Sequence, residues 1–105
     1  MNAGPASEIE GRLFLVERYW PGIDEAGLRD HLPRLDRAAS EVTALGRPVD
    51  HVGSLLIPGD QVVFSVIRAE SVEIVIEVNE HADLPVDRVA EVTSHGFGEG
   101  EKGEP

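Results

Sequence analysis

The fold of this chain depends on the segment Glu70-Ser-Val-Glu-Ile-Val-Ile-Glu-Val-Asn-Glu-His-Ala82, because its apolar residues fit either of two structures. Every second residue from Val72 to Val78 is apolar, as in a half-buried strand. The residues at helical spacing are Val72, Val75, Ile76 and Asn79. We predict a helix, because Ser71 can cap its first turn and because the predicted sheet would otherwise have no second layer to cover it.

A strand and a longer helix precede this segment. The residues from Arg12 to Trp20 are mostly apolar or aromatic, which predicts a strand buried on both faces that ends at Pro21-Gly22. Asp24 is predicted to cap a helix that runs to Leu45, with Gly46 as its stop. Its apolar positions are Leu28, Leu32, Leu35, Ala39 and Val42. We predict that Pro33 bends or splits this helix just before the proline, because proline removes one backbone hydrogen bond.

The remaining strands complete a β-α-β-β-α-β order. Two apolar stretches, Val49 to Ile57 and Val62 to Arg68, flank Pro58-Gly59-Asp60, which favours a tight turn between antiparallel strands. After the second helix, Asp87 to Ser94 predicts the last strand. This order is the split βαβ arrangement, so we predict a ferredoxin-like α+β sandwich with both helices on one face of an antiparallel sheet.

Such a sheet leaves one apolar face without a cover. A chain of 105 residues has room for one domain with a thin core, since 41% of its residues are hydrophobic and only 5% are aromatic. Self-association is a common way for a small domain to bury more apolar surface. We therefore predict a homodimer, a dimeric α+β barrel in which a second copy lays its sheet on the open face and encloses a cavity.

Composition excludes several classes of function. A net charge of −11 would repel phosphate backbones and anionic lipids, so we expect no nucleic-acid and no membrane partner. The chain has no cysteine, which excludes disulfides and thiolate sites. Because the first residues lack the features of a secretion signal, we expect a cytoplasmic location. We divide the chain into a disordered tail at 1–10, a domain at 11–95 and a disordered acidic tail at 96–105.

Three stretches resemble one protein family. They are Phe14-Leu-Val-Glu-Arg-Tyr-Trp-Pro-Gly22, His51-Val-Gly-Ser-Leu-Leu-Ile-Pro-Gly-Asp-Gln-Val-Val-Phe-Ser-Val66 and Leu84-Pro-Val-Asp-Arg-Val-Ala-Glu-Val92. They are similar to small bacterial proteins with a domain of unknown function that are called nickel-binding proteins, and the resemblance covers about residues 12 to 93. It implies a dimeric ferredoxin-like α+β barrel and, in some members, bound nickel (Ni2+).

This chain departs from that family at four positions. Relatives usually carry an aromatic residue, a tyrosine, a cysteine and a glutamate where this chain has His51, Leu55, Ser65 and Arg68. Groups that could serve a metal are thus replaced by apolar or basic ones. The family's nickel ligands cannot be assigned to residues of this chain one by one.

His51 is the main candidate for chemistry. We predict that it lies within the hairpin, on the strand face shared with Val49, Gly53 and Leu55. An imidazole there is either a satisfied, partly buried histidine or a general base or metal ligand. The other histidines are expected to have ordinary structural roles; they are His31, His81 and His95.

Glu17 and Tyr19 are the second candidates, because strand side chains alternate and the two share a face. A glutamate in an apolar strand needs a partner, for which Arg68 or Arg88 is available, or it has a catalytic or ligand role.

Two functions follow from these residues. The first is a dimer that binds a small molecule or a divalent metal, nickel by resemblance, through His51 and Glu17. The second is a cofactor-free cyclase, isomerase or oxygenase whose apolar substrate lies in the barrel cavity, with His51 as base and Glu17 or Tyr19 as orienting group.

Overall fold

The computed structural model describes residues 11–96, which contain four strands and two helices. In chain order they are β1 (Arg12–Tyr19), α1 (Glu25–Ala44), β2 (Val49–Ile57), β3 (Val62–Ala69), α2 (Val72–Ala82) and β4 (Arg88–Val92). The predicted β-α-β-β-α-β order and ferredoxin-like α+β fold are confirmed. The predicted tail at 1–10 and, except for Gly96, the predicted tail at 96–105 lie outside the described residues.

The sheet has the strand order β2-β3-β1-β4, and every neighbouring pair is antiparallel. β1 and β3 therefore form its centre, while β2 and β4 are its edges. In the β2–β3 hairpin Ile57 pairs with Val62, and the register continues to Ser54 opposite Ser65. Between His51 and Gly53 the register shifts by one residue, which is a β-bulge at Val52.

Both predicted helices form with the predicted caps. The Asp24 side chain accepts a hydrogen bond from the Gly27 amide at the start of α1, and the Ser71 side chain accepts one from the Ile74 amide at the start of α2. The ambiguous segment is thus a helix. Pro33 does not split α1, which continues as one helix of 20 residues. The missing hydrogen bond is tolerated because the apolar face of α1 remains buried on both sides of the proline.

The two helices are tied to each other by Arg34 of α1. Its Nε donates to the carbonyl oxygen of Ala82 at 3.0 Å, and its Nη2 donates to the carbonyl oxygens of Ala82 and Asp83 at 2.7 Å each. These carbonyl groups lie at the end of α2, where backbone acceptors have no partner within the helix. An arginine from one helix therefore satisfies the end of the other.

The core lies between the helices and one face of the sheet. Its fully buried apolar side chains include Val16, Leu35, Val42, Ile67, Val75 and Val78. β1 was predicted to be buried on both faces, and this is wrong: Phe14 and Val16 are buried, whereas the alternate residues Leu13 and Leu15 are only partly buried. The helices cover a single face, so alternate residues of each strand remain on the other.

We call that other side of the sheet the open face. It consists of Leu13, Leu15, Glu17 and Tyr19 of β1, Asp50, Gly53, Leu55 and Ile57 of β2, Val62, Phe64, Val66 and Arg68 of β3, and Arg88, Ala90 and Val92 of β4. Most of these residues are apolar, and several have large exposed fractions, such as Leu55 at 65%. Within residues 11–96 no helix is both long and apolar enough to cross a membrane.

Candidate functional site

His51 lies on β2 under α1, on the helix-covered face, and only 7% of its side chain is exposed. Its Nδ1 is 2.7 Å from the Oδ1 of Asp36, and its Nε2 is 2.8 Å from the Oγ of Ser54. Both ring nitrogens therefore have partners within the chain. A histidine held in this way has its ring orientation set by the carboxylate on one side and the hydroxyl on the other.

The bulge at Val52 explains why His51 and Ser54 meet. Residues three apart in a regular strand point to opposite faces, but the extra residue makes this pair equivalent to residues two apart. The prediction that His51 shares a face with Gly53 and Leu55 is therefore wrong. Val49 and His51 face the helices, whereas Gly53 and Leu55, which follow the bulge, are on the open face.

The hydrogen-bonded chain continues into the core. The Oγ of Ser54 is 2.7 Å from the Oγ of Ser65, which accepts a hydrogen bond of 3.2 Å from Nη2 of Arg18. Nη1 of Arg18 donates to the carbonyl oxygen of Pro85 at 2.9 Å. Burial lowers the pKa of Arg18 to about 10, which leaves it charged at neutral pH. The side chains form one continuous series of hydrogen bonds with a carboxylate at one end and a guanidinium group at the other. We call this series the polar relay: Asp36, His51, Ser54, Ser65 and Arg18.

A surface cleft adjoins the carboxylate end of the polar relay. It has a volume of about 450 Å3, and its lining includes Asp36, Ser40, Thr43, Asp50 and His51. Ala39, Ala44 and Val49 complete a lining that is more apolar than polar, while its two carboxylates make the cleft negative. It favours uncharged or cationic molecules over anions.

Glu17 and Tyr19 lie together on the open face, as predicted. Oε1 of Glu17 is 3.7 Å from Nη1 of Arg88, so the predicted ion pair forms with one of the two arginines considered. Tyr19 is 55% exposed, and its backbone amide donates to Oδ2 of Asp87 at 2.6 Å. Because His51 faces the helices, the sheet separates it from Glu17, and the chain by itself does not bring the two predicted metal ligands together.

The other histidines have local partners. Nδ1 of His31 donates to the carbonyl oxygen of Gly27 at 2.7 Å, and its ring lies edge-on against Trp20 with centroids 5.0 Å apart. His81 is 3.5 Å from a carboxylate oxygen of Glu41. Between residues 11 and 96, no three histidine, aspartate or glutamate side chains are grouped in a way that could hold a metal ion.

Arg68 differs from the other charged residues of the open face. It lies on the central strand β3, opposite Leu13 and Asp50 in the register. Its Nε is buried without a hydrogen-bond partner, and Arg68 forms no ion pair with any described residue. The open face thus has an arginine without an anion.

Sequence reasoning missed four members of the polar relay, which are Arg18, Asp36, Ser54 and Ser65. One signal was available, because Ser54 and Ser65 each lie four residues from the loop at 58–61 and a hairpin pairs such positions. Nothing in the sequence indicates that Asp36 contacts His51, since Asp36 lies on α1, whose position on the sheet depends on packing. The bulge at Val52 has no sequence signal either.

Comparisons with known proteins support the fold. No family model and no curated protein matches the sequence. Among solved structures, the protein SCO4226 from Streptomyces coelicolor A3(2) is similar, with a TM-score of 0.68 and 19% sequence identity. The match covers 80% of this chain and 99% of that protein. At this identity the similarity shows a shared fold, and the four-stranded antiparallel sheet with two helices is therefore the architecture that both chains adopt.

Proposed function

We propose that this protein is a homodimer that binds an apolar small molecule with an acidic group between the open faces of its two sheets. The observation that carries the proposal is an apolar open face on which one arginine, Arg68 at the end of the central strand β3, has no partner among the described residues. The apolar residues supply the contact area for association and for the ligand. The arginine supplies the group that recognises an anion.

A second copy is the occupant that the charges favour. The whole chain has a net charge of −11, so two copies repel each other through most of their surface. The open face is an exception, because its charged residues are two acids and two arginines: Glu17, Asp50, Arg68 and Arg88. Two open faces can therefore approach without the repulsion that the remaining surface produces.

The acidic group of the ligand follows from Arg68. An arginine between two apolar sheets costs several kcal/mol of desolvation unless an anion accompanies it. Glu17 is already paired with Arg88 at 3.7 Å, and Asp50 lies opposite Arg68 without forming an ion pair. A carboxylate on the bound molecule would supply the missing partner through two parallel hydrogen bonds.

A cofactor-free cyclase, isomerase or oxygenase would use the same chamber. Glu17 and Tyr19 favour this second candidate, since a carboxylate and a phenol stand side by side on the open face. His51 would have no part in it, because it faces the helices. A nickel site is supported less well, because no histidine within residues 11–96 lies on the open face and both nitrogens of His51 have partners.

Association is tested by sedimentation of the native protein and of Phe64→Asp, which places a charge in the middle of the open face. We expect a dimer for the native chain and a monomer for Phe64→Asp. The control is Leu45→Asp, which adds the same charge at an exposed position away from the open face and should leave the dimer intact. The free energy of unfolding of the native protein should rise by about 1.4 kcal/mol for each tenfold increase in concentration, and that of Phe64→Asp should not. A native monomer at high concentration would contradict the proposal.

Ligand chemistry is tested by calorimetric titration with decanoate and with decanol, which share an apolar chain and differ in charge. We expect decanoate to bind about 10- to 100-fold more tightly, as for a hydrogen bond to a charged group. The difference should disappear in Arg68→Met, which keeps the size of the side chain. Equal affinities in the native protein would refute the acidic specificity. Nickel chloride, titrated into the native protein and into Glu17→Gln, tests the metal alternative.

A further inference from the structure

The polar relay has a single consistent arrangement of protons when His51 is neutral. The carboxylate of Asp36 only accepts, so Nδ1 of His51 carries the proton and Nε2 is an acceptor. The hydroxyl of Ser54 then donates to Nε2, and the hydroxyl of Ser65 donates to Ser54. Arg18, which has only donors, completes the series by donating to Ser65. Every hydrogen bond points from the arginine toward the carboxylate.

We propose that Ser54 is a nucleophile that hydrolyses small uncharged or cationic esters, with His51 as general base and Asp36 as positioning residue. Three observations carry this inference. The spacing of 2.7 Å and 2.8 Å through His51 is that of a nucleophile, a base and its orienting carboxylate. The hydroxyl of Ser54 donates to the base, as proton transfer requires. Ser54 is also partly exposed, on an edge strand next to a bulge.

The reaction that this geometry allows has two steps. Oγ of Ser54 attacks the carbonyl carbon of the ester and passes its proton to Nε2 of His51; the bond to the alkoxide then breaks, and the leaving alcohol takes that proton. Water next attacks the acyl group on Ser54, gives one proton to His51, and the bond between Oγ and the acyl carbon breaks. Ser54 recovers the proton, so an ester and water yield a carboxylic acid and an alcohol.

Ser65 and Arg18 are positioning residues in this scheme. The hydroxyl of Ser65 points at Oγ of Ser54 and fixes its position, and Arg18 in turn fixes Ser65 by donating to it. Arg18 is held in place by the carbonyl of Pro85 and is almost fully buried, so its orientation is set before a substrate arrives.

The cleft lies beside the base His51, and Ser54 itself is not among its lining residues. The charge that surrounds the polar relay therefore sets the class of substrate. Asp36 and Asp50 line the cleft together with hydroxyl groups, and the chain as a whole is strongly acidic. An anionic ester would be repelled, whereas a short neutral or positively charged one would not. Asp50 belongs to the open face as well, but Asp36, His51 and Ser54 do not. This inference is therefore independent of the ligand chamber, and either can fail without the other.

The test is labelling with a fluorophosphonate, which transfers its phosphonyl group to an activated serine as fluoride leaves. We expect the intact folded protein to be labelled once, with the label located on Ser54 by peptide mass spectrometry. Labelling should be lost in Ser54→Ala, and should slow by at least about a hundredfold in His51→Gln. The control is Ser94→Ala, which changes a serine that follows the opposite edge strand, β4. This variant should be labelled on Ser54 at the native rate.

Hydrolysis of p-nitrophenyl butyrate by the same proteins measures turnover. For Asp36→Asn we expect kcat for this uncharged ester to fall by a much larger factor than KM changes, because Asp36 acts on the reaction through His51 and its charge does not attract a neutral molecule. Ser65→Ala should lower kcat by a smaller factor. Labelling no faster than in heat-unfolded protein, or equal labelling in Ser54→Ala, would overturn the proposal; circular dichroism of each variant confirms that the fold is retained.

Discussion

On the helix-covered face of the sheet, Val16, Ser65 and Ile67 are completely buried, whereas their neighbours on the open face, Leu15, Val66 and Arg68, remain partly exposed. The two faces alternate along the same strands and have similar aliphatic residues. They differ in their polar groups. On the covered face buried Arg18 and Ser65 have partners in the polar relay, while on the open face Arg68 has a buried nitrogen with none.

This difference shows what the packed helices contribute to the sheet, which is burial of its apolar residues and partners for its polar ones. Where α1 and α2 pack, polar side chains are tolerated because the fold supplies their hydrogen bonds. Where no element packs, apolar residues and an arginine without a partner among the described residues stay partly exposed. In the proposed dimer, the energetics of this face would depend on association.

The largest expected effect is on the covered face. Ile67→Ala removes a fully buried side chain and should lower the free energy of unfolding by about 2–5 kcal/mol. Leu15→Ala, a deletion of the same size on the open face, should cost clearly less when both are made in the monomeric Phe64→Asp background. Urea denaturation measures both values. Equal costs would mean that the open face is as well packed as the core, and would remove the contrast between the faces.

A smaller effect is expected where the two covering helices are joined. Arg34→Ala removes the donors to the carbonyl groups of Ala82 and Asp83, and should lower the free energy of unfolding by about 1–3 kcal/mol. Arg34→Lys should recover only part of this loss, because an ammonium group cannot reproduce the planar arrangement of donors. Full recovery by lysine, measured by urea denaturation, would show that charge alone holds the helices together.

The smallest effect is expected at the solvent-exposed link between Arg47 and α2. The hydrogen bond from Arg47 lowers the pKa of Glu77 below its ordinary value of 4.5, so the stabilisation is present above that value and is lost as the pH falls through the lowered pKa. Glu77→Gln should thus lower the urea midpoint slightly at pH 7 and leave it unchanged in strong acid. Glu80→Gln, without an ion pair among the described residues, is the control. A difference that persists in acid would contradict this assignment.

Most of the fold could be predicted from local signals. Asp24 and Ser71 mark the helix starts, Gly46 follows the end of α1, and the Pro58-Gly59-Asp60 turn defines the hairpin. These features act within a few residues along the chain, so their effect on structure is largely independent of the rest of the molecule. The choice of a helix for Val72–Ala82 went further, because it used the need of the sheet for a second layer.

The candidate sites could be predicted only in part. That Glu17 and Tyr19 share a face follows from strand alternation, and the pairing of Glu17 with Arg88 was one of two options considered. The sequence identifies His51 as a candidate, but the prediction that it shares a strand face with Leu55 is wrong. A bulge changes the alternation of side chains, and the residues give no clear sign of it. Because the bulge puts His51 on the helix-covered face, the sheet separates His51 from Glu17.

Local signals along the chain therefore sufficed for the strands, the hairpin and α1, since each depends on neighbours a few positions away, whereas the choice of a helix for α2 also used the sheet that it covers. The assembly of Asp36, His51, Ser54, Ser65 and Arg18 into one hydrogen-bonded chain required packing of α1 on the sheet and pairing of β1 with β3. Such contacts join residues tens of positions apart, and their geometry is set by how whole elements fit together rather than by any local preference.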